Sequence, residues 1–363
     1  MIVIVYHRRD MDGITSGAIA RHYFKNKGVA FKELPFDYND KFPIESIEEG
    51  SELYFMDVVC QPYSFMKELN EKFKLTVIDH HKTFIDDPAS EGIAGLRTEK
   101  WSGCILTWTY FYPKLPLPKL VYYLGQFDAW HRDNWEEWNN ASVPSNFGAL
   151  AQNVHPSIKR PGIPTDNFLD KYLDDYFAGN KEALAATETR IIEVGQQIWT
   201  YQFLEYSQTA EKAAIEAIVT IPAPPGVKQI GERLRAVVIN SRLNSFGFDS
   251  VFNPERHDCM ISWYMGKTPG IYEVSLYSPR KEIDLSALAV AMGGGGHAGA
   301  CGFQASEVNF LRNPDDGQLR ILFENKPEEI KEPKPLPAVD PTEDPTPVLE
   351  ERASESIIPD WLF

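Results

Sequence analysis

His7, Asp10 and Asp12 crowd into "HRRDMDG", directly after the apolar run "IVIV". Imidazoles and carboxylates at such spacing can ligate a cation, and three more stretches of the chain offer the same groups. Asp57 follows "ELYFM", Asp79, His80 and His81 follow "LTVI", and Asp128 follows an apolar stretch in "LGQFDAWH". Mixed oxygen and nitrogen donors suit a hard or borderline divalent ion such as Mn²⁺, with Mg²⁺ and Co²⁺ as alternatives. Asp10, Asp12, Asp57, Asp128, His7 and His80 exceed the needs of one ion. Two ions roughly 3.5–4 Å apart, bridged by a carboxylate, would use them all. Each residue also has an ordinary structural reading. Asp10 and Asp12 serve as turn or N-cap residues, Asp57 as a strand-end cap, His80 and His81 as a satisfied pair, and Asp128 as a helix-end residue. Taken one at a time the structural readings win or tie; what favours the metal is the joint placement at strand ends.

That placement depends on the elements. Short β-rich runs alternate with helical patterns through the first half, as in βαβ units, so the chain reads as α/β with a parallel sheet. Strands are expected at 2–6, 52–56 and 74–78, and helices at 14–26, around 62–72, at 102–112 and at 118–127. Ligands of open α/β sheets bind outside the carboxyl ends of the strands, where these motifs fall. Leu184, Ile191 and Ile198 recur every seven residues, with Thr187, Val194 and Tyr201 between them, which predicts a long amphipathic connector helix. The expected domains are 1–178, the connector at 179–208, a smaller α/β domain at 209–325 and a tail at 326–363. The second domain contains a helix at 284–292 and the run "GGGGHAGACGF". Consecutive glycines let a backbone approach a phosphate closely and offer it N–H groups, to which His297 adds a side-chain donor.

Composition narrows the class. A formal charge of −16 repels polyanions at long range and disfavours a protein that coats long nucleic acid. The 4 cysteines are scattered without CxxC spacing, fitting reduced thiols and a cytoplasmic location. No apolar run reaches membrane-spanning length, so no membrane partner is expected. Residues 326–363 hold 8 prolines, 10 acidic and 4 basic residues, too polar to fold alone, but end in apolar "IIPDWLF". That end is expected either to be a disordered terminus with no partner or to fill an apolar groove of its own body, of a second subunit in a homodimer, or of another protein.

In order along the chain, "HRRDMDG", Asp57, "DHH" at 79–81 and Asp128 resemble the four motifs of the DHH phosphoesterase superfamily, and "GGGGHAGACGF" resembles the GGGH signature of the DHH-associated C-terminal domain. The resemblance implies that His7, Asp10 and Asp57 hold one metal ion. Asp12, Asp57, His80 and Asp128 would hold a second, with Asp57 as the bridge. It further implies that Asp79 orients the His80 ring, that His81 and His297 are catalytic and face the substrate phosphate, and that Gly294, Gly295, Gly296, His297 and Arg280 bind substrate. Arg242 is a further candidate phosphate contact. Arg8 and Arg9 depart from the family pattern and are expected either to be solvated or to line the substrate entrance.

The activity so implied is two-metal hydrolysis of a phosphodiester in short oligonucleotides, dinucleotides or related nucleoside phosphates. Alternatives are a RecJ-like single-strand exonuclease, an inorganic pyrophosphatase, and a non-hydrolytic nucleotide sensor, the last disfavoured by complete ligands at all four motifs.

Overall fold

The computed structural model describes residues 1–38, 40–131, 133–152, 168–221, 233–280, 283–314 and 317–325. Residues 153–167 and the tail lie outside the described residues. Met1–Lys326 form one compact unit.

The first half builds a five-stranded sheet from β1 (Ile2–His7), β2 (Phe31–Phe36), β3 (Glu52–Met56), β4 (Lys74–Asp79) and β5 (Ala94–Arg97). The order is β2-β1-β3-β4-β5 and every pairing is parallel. Alternation along β1 explains why both faces need cover. Val3 and Val5 join the core containing Phe55 and Phe84, whereas Ile4 joins the opposite core with Trp108 and Leu124. The first core lies on the side of α2 (Ser64–Lys72) and α3 (Lys82–Ile85), and the second takes α1 (Met11–Asn26), α4 (Gly103–Phe111) and α5 (Lys119–Asp128). The expected strands and helices of this half are present, but β2 and β5 were not legible in the sequence. β2 reads "FKELPF", with two charged residues and a proline, and sits at the sheet edge where proline costs no ladder bond.

A short helix α6 (Trp135–Glu137) and α7 (Val143–Gln152) follow, then α8 (Phe168–Phe177) and α9 (Lys181–Ala213). The long helix is as expected but runs five residues beyond 208, and its seam differs. Ile191, Gly195, Trp199 and Ala210 are buried, while Tyr201 is 65% exposed. The buried set follows the four-residue ridge of a helix packed on a neighbour, rather than a seven-residue repeat. Glycine makes this packing close. A Cβ added at Gly195 would lie 1.7 Å from the carbonyl oxygen of Pro144, and one added at Gly148 would lie 1.9 Å from that of Ile191. Gly195→Ala should therefore force α7 and α9 apart. We expect a loss of about 1–3 kcal/mol, net of alanine's better helix propensity, seen as a lower denaturation midpoint.

The second half forms an eight-stranded mixed sheet, in chain order β6 (Ile215–Thr220), β7 (Leu234–Asn240), β8 (Cys259–Met265), β9 (Tyr272–Tyr277), β10 (Gly295–His297), β11 (Ala300–Ala305), β12 (Glu307–Arg312) and β13 (Leu319–Glu324). Its order is β10-β11-β9-β8-β7-β6-β13-β12. One face packs Val238, Ile261 and Leu276 against Leu288 and Ala289 of α10 (Ser286–Ala291). The other packs Val237, Ile239 and Met260 against Ala210 of α9 and Phe248. The glycine run is thus an ordered edge hairpin rather than an open loop. A Cβ at Gly294 would meet Gly302 O at 2.0 Å, and Gly296 takes φ 129°. Neither position accommodates a side chain.

Candidate metal centre

Strands β1, β3 and β4 are neighbours, so their carboxyl ends bring His7, Asp57, His80 and His81 together, flanking the point where strand order reverses. Asp57 is central. It follows β3 with φ 58°, a left-handed conformation that aspartate tolerates better than most residues, and its N–H donates to Ile78 O at 2.9 Å. Its two carboxylate oxygens face different neighbours. Oδ2 lies 3.6 Å from His7 Nδ1, while Oδ1 lies 3.2 Å from His80 Nε2. Around Oδ2 gathers His7 with Asp10, whose Oδ2 approaches His7 Nδ1 to 2.5 Å. Around Oδ1 gathers His80, with Asp128 Oδ2 at 3.2 Å and Asp12 Oδ2 at 3.7 Å from its Nε2.

The structural reading of Asp10 also holds, because its carboxylate has two oxygens, whereas Asp12 lies inside α1. Asp10 caps α1, its Oδ1 accepting from Gly13 N at 2.9 Å, and leaves Oδ2 for His7. Asp12 accepts from Gly103 N and Cys104 N, at 2.6 and 2.8 Å, on the N-terminus of α4. That contact needs glycine, since a Cβ at Gly103 would come within 2.6 Å of Asp57 Cβ and 2.8 Å of Asp12 Oδ2.

Electrostatics show what the cluster lacks. Burial and the charges of Asp57 and Asp128 push Asp12 well above the usual carboxylate range, and burial together with Asp57 raises Asp10. Burial opposes the charge of Asp57 too, but the adjoining His7 and His80 imidazoles outweigh it and hold this carboxyl far below its ordinary value. Burial disfavours charge on His7, yet Asp10 and Asp57 push it up to about 11, and Asp128 and Asp57 likewise raise His80. Protons on the imidazoles thus stand where cations would bind. His7 Nδ1 and Asp57 Oδ1 are buried without a hydrogen bond. A nitrogen 2.5 Å from a carboxylate oxygen in no hydrogen-bond geometry fits two donor atoms aimed at a shared third point. The residues therefore fit two divalent ions, one in reach of His7, Asp10 and Asp57, the other of Asp12, Asp57 and His80, with Asp128 beside His80.

Three expectations require correction. Asp79 orients His81 rather than His80: its Oδ1 lies 2.8 Å from His81 Nδ1. Side chains alternate at a strand end, so residues 79 and 81 share a side and residue 80 takes the other. Arg280 pairs with Asp258 at 2.9 Å, a contact that ties β9 to the start of β8 instead of reaching the centre. Arg8 and Arg9 are not merely solvated. Arg8 binds Asp40 at 2.8 Å and Arg9 binds Asp37 at 2.5 Å, fastening the loop after β2. Arg242 is exposed.

That loop supplies groups the sequence did not reveal. Tyr38 sets its ring edge-on to His7 and His81, with centroids 5.5 and 6.0 Å away. Asp37 Oδ1 lies 3.8 Å from His7 Nε2. The cue was "DYND" after "FKELPF", unreadable while β2 went unrecognised.

The glycine hairpin meets this centre. Gly295 faces Thr83 and Tyr63, and His297 stacks on His81 at 4.8 Å and 18°, with His80 4.6 Å away. Burial disfavours charge on His81, but Asp79 outweighs it and raises this group above its ordinary value. Burial, then the charges of His81 and His80, lowers His297 to about 3, so that ring stays neutral. Two cavities flank the centre. One of 360 Å³ is lined by His81, Tyr38, Tyr63 and the glycines, and one of 620 Å³ by His80, Asp128, Trp130, Tyr277 and His297.

Fold and site together give an α/β protein whose parallel sheet carries a carboxylate–imidazole cluster at its carboxyl end, faced by a glycine hairpin from a mixed sheet. No family model matches the chain. An uncharacterized protein of Acanthamoeba polyphaga mimivirus is 23% identical over 350 residues, covering 89% of this chain and 73% of that protein. Among solved structures, the chain is similar to the pGpG-specific phosphodiesterase PggH from Vibrio cholerae, with 13% identity and a TM-score of 0.40, over 84% of this chain and 92% of that one. It is also similar to RecJ in complex with Mn²⁺ from Thermus thermophilus, with 16% identity and a TM-score of 0.40, over 83% of this chain and 49% of that one.

Proposed function

We propose that this chain is a metal-dependent phosphodiesterase that cleaves dinucleotides or short oligonucleotides to nucleoside monophosphates. The observation that carries the reading is Asp57, whose two oxygens face two separate groups of ligands. When bound, two divalent ions lower the pKa of water and neutralise charge on phosphoryl oxygens. The chain's own residues do the rest. His81 directs Nδ1 at Asp79, which orients the ring, and when the ring is protonated its Nε2–H donates to a phosphoryl oxygen. His297, neutral and stacked on His81, holds that ring in place and offers a second donor. The glycine hairpin closes over the substrate and excludes water.

Selection of short substrates rests on charge. With a formal charge of −16, the chain holds long polyanions poorly. Turnover with Mn²⁺ should be measured on pyrophosphate, dinucleotides and a length series of single strands. Dinucleotides to tetranucleotides should turn over at least about tenfold faster than strands of thirty or more, because the extra phosphates find no counter-charge. Turnover rising with length would favour the exonuclease, and preference for pyrophosphate would favour the pyrophosphatase.

A further inference from the structure

We infer that the 620 Å³ cavity beside Asp128 is a nucleobase pocket whose platform is Trp130; the inference rests on the phosphodiesterase reading and names the part of the substrate that this reading leaves open. Volume gives the first argument. The cavity falls within the roughly 300–1,000 Å³ of small-molecule sites and far exceeds what a phosphate needs.

Lining chemistry gives the second. Trp130, Phe252, Met260 and Pro279 supply apolar surface, while Glu99 and Asp249 supply negative charge, and no lysine or arginine lines the cavity among the described residues. A polyphosphate would meet repulsion there. An uncharged planar ring with N–H edges would meet apolar faces and acceptors. His80, Asp128 and His297 border the same cavity, so a phosphate at the metal centre and a base in the cavity fit one nucleotide.

Trp130 itself gives the third. Its φ of 55° is a left-handed conformation that costs a bulky residue of order 1–3 kcal/mol. The position follows Asp128 by two residues, and its N–H donates to Phe127 O at 3.2 Å. One side of the indole is backed by Phe246, with centroids 5.5 Å apart and planes 14° apart, and Trp138 stacks 6.2 Å away. A partly buried indole supported from behind and set in a cavity wall is a stacking platform, and such stacking is worth about 1–3 kcal/mol per base.

The test is equilibrium binding of the four ribonucleoside 5′-monophosphates by calorimetry, with and without Mn²⁺, to native protein, Trp130→Ala and Trp130→Phe. The alanine variant should bind at least one monophosphate about tenfold more weakly, and the phenylalanine variant should recover most of that loss. Binding unchanged in the alanine variant, or no monophosphate bound by the native protein, would overturn the pocket. Equal losses in both variants with a lowered melting temperature would also overturn it, by making Trp130 a core residue. Trp130-dependent binding in a protein that hydrolyses no dinucleotide would instead retain the pocket and refute the phosphodiesterase.

Discussion

Asp57→Asn should lower Mn²⁺-dependent hydrolysis by about 1,000-fold or more and reduce bound metal on elemental analysis. Among the described residues, no other carboxylate offers one oxygen to the His7 and Asp10 group and the other to the His80 and Asp128 group. Asparagine keeps the shape, and it tolerates the φ of 58° that alanine would take only with strain. Loss with this variant therefore reports the charge and the ligand oxygen rather than a broken turn. A melting temperature of the metal-free protein within a few degrees of the native one would confirm that. Near-native turnover with two metal ions still bound would refute the bridge, and Asp57 would then be a strand-end cap alone.

Most of this centre was legible because its residues sit where local signals are strong. β1, β3 and β4 are interior strands, apolar on both faces, and each places its ligand one or a few residues past its last apolar position. The roles of His80 and His81 were harder. Which ring Asp79 holds depends on the pleat at the end of β4, and motif order alone assigned the wrong one. Arg280 illustrates a different limit: a cation near a glycine run looks like a phosphate contact until Asp258, just before a neighbouring strand, proves to be its partner. Helix α9 shows a third. Its buried face is set by Gly148 on α7, a residue more than forty positions upstream, so the seven-residue pattern picked Tyr201 where packing picked Trp199.

His297→Ala should lower kcat/KM by about 100-fold while leaving metal content unchanged. The sequence placed this histidine in a substrate-holding loop of the second domain. The structure brings it into ring contact with His81 and His80, so the loss should fall on kcat as well as KM. Its proton balance offers an independent readout. In the unfolded chain this group titrates near its ordinary value of 6.5, whereas burial and the charges of His81 and His80 lower it to about 3 in the folded protein. Between those values the unfolded chain binds a proton that the folded one refuses, so stability drains away as pH falls through this window. The variant lacks that contribution. Its melting temperature should lie below the native one near pH 7, and the gap should narrow toward pH 4. Loss of metal in the variant would make His297 a ligand of the cluster with His80 and His81. Unchanged kcat/KM would remove it from the reaction altogether. Retained metal with a hundredfold loss leaves one assignment, a neutral imidazole that the second sheet lends to chemistry organised by the first.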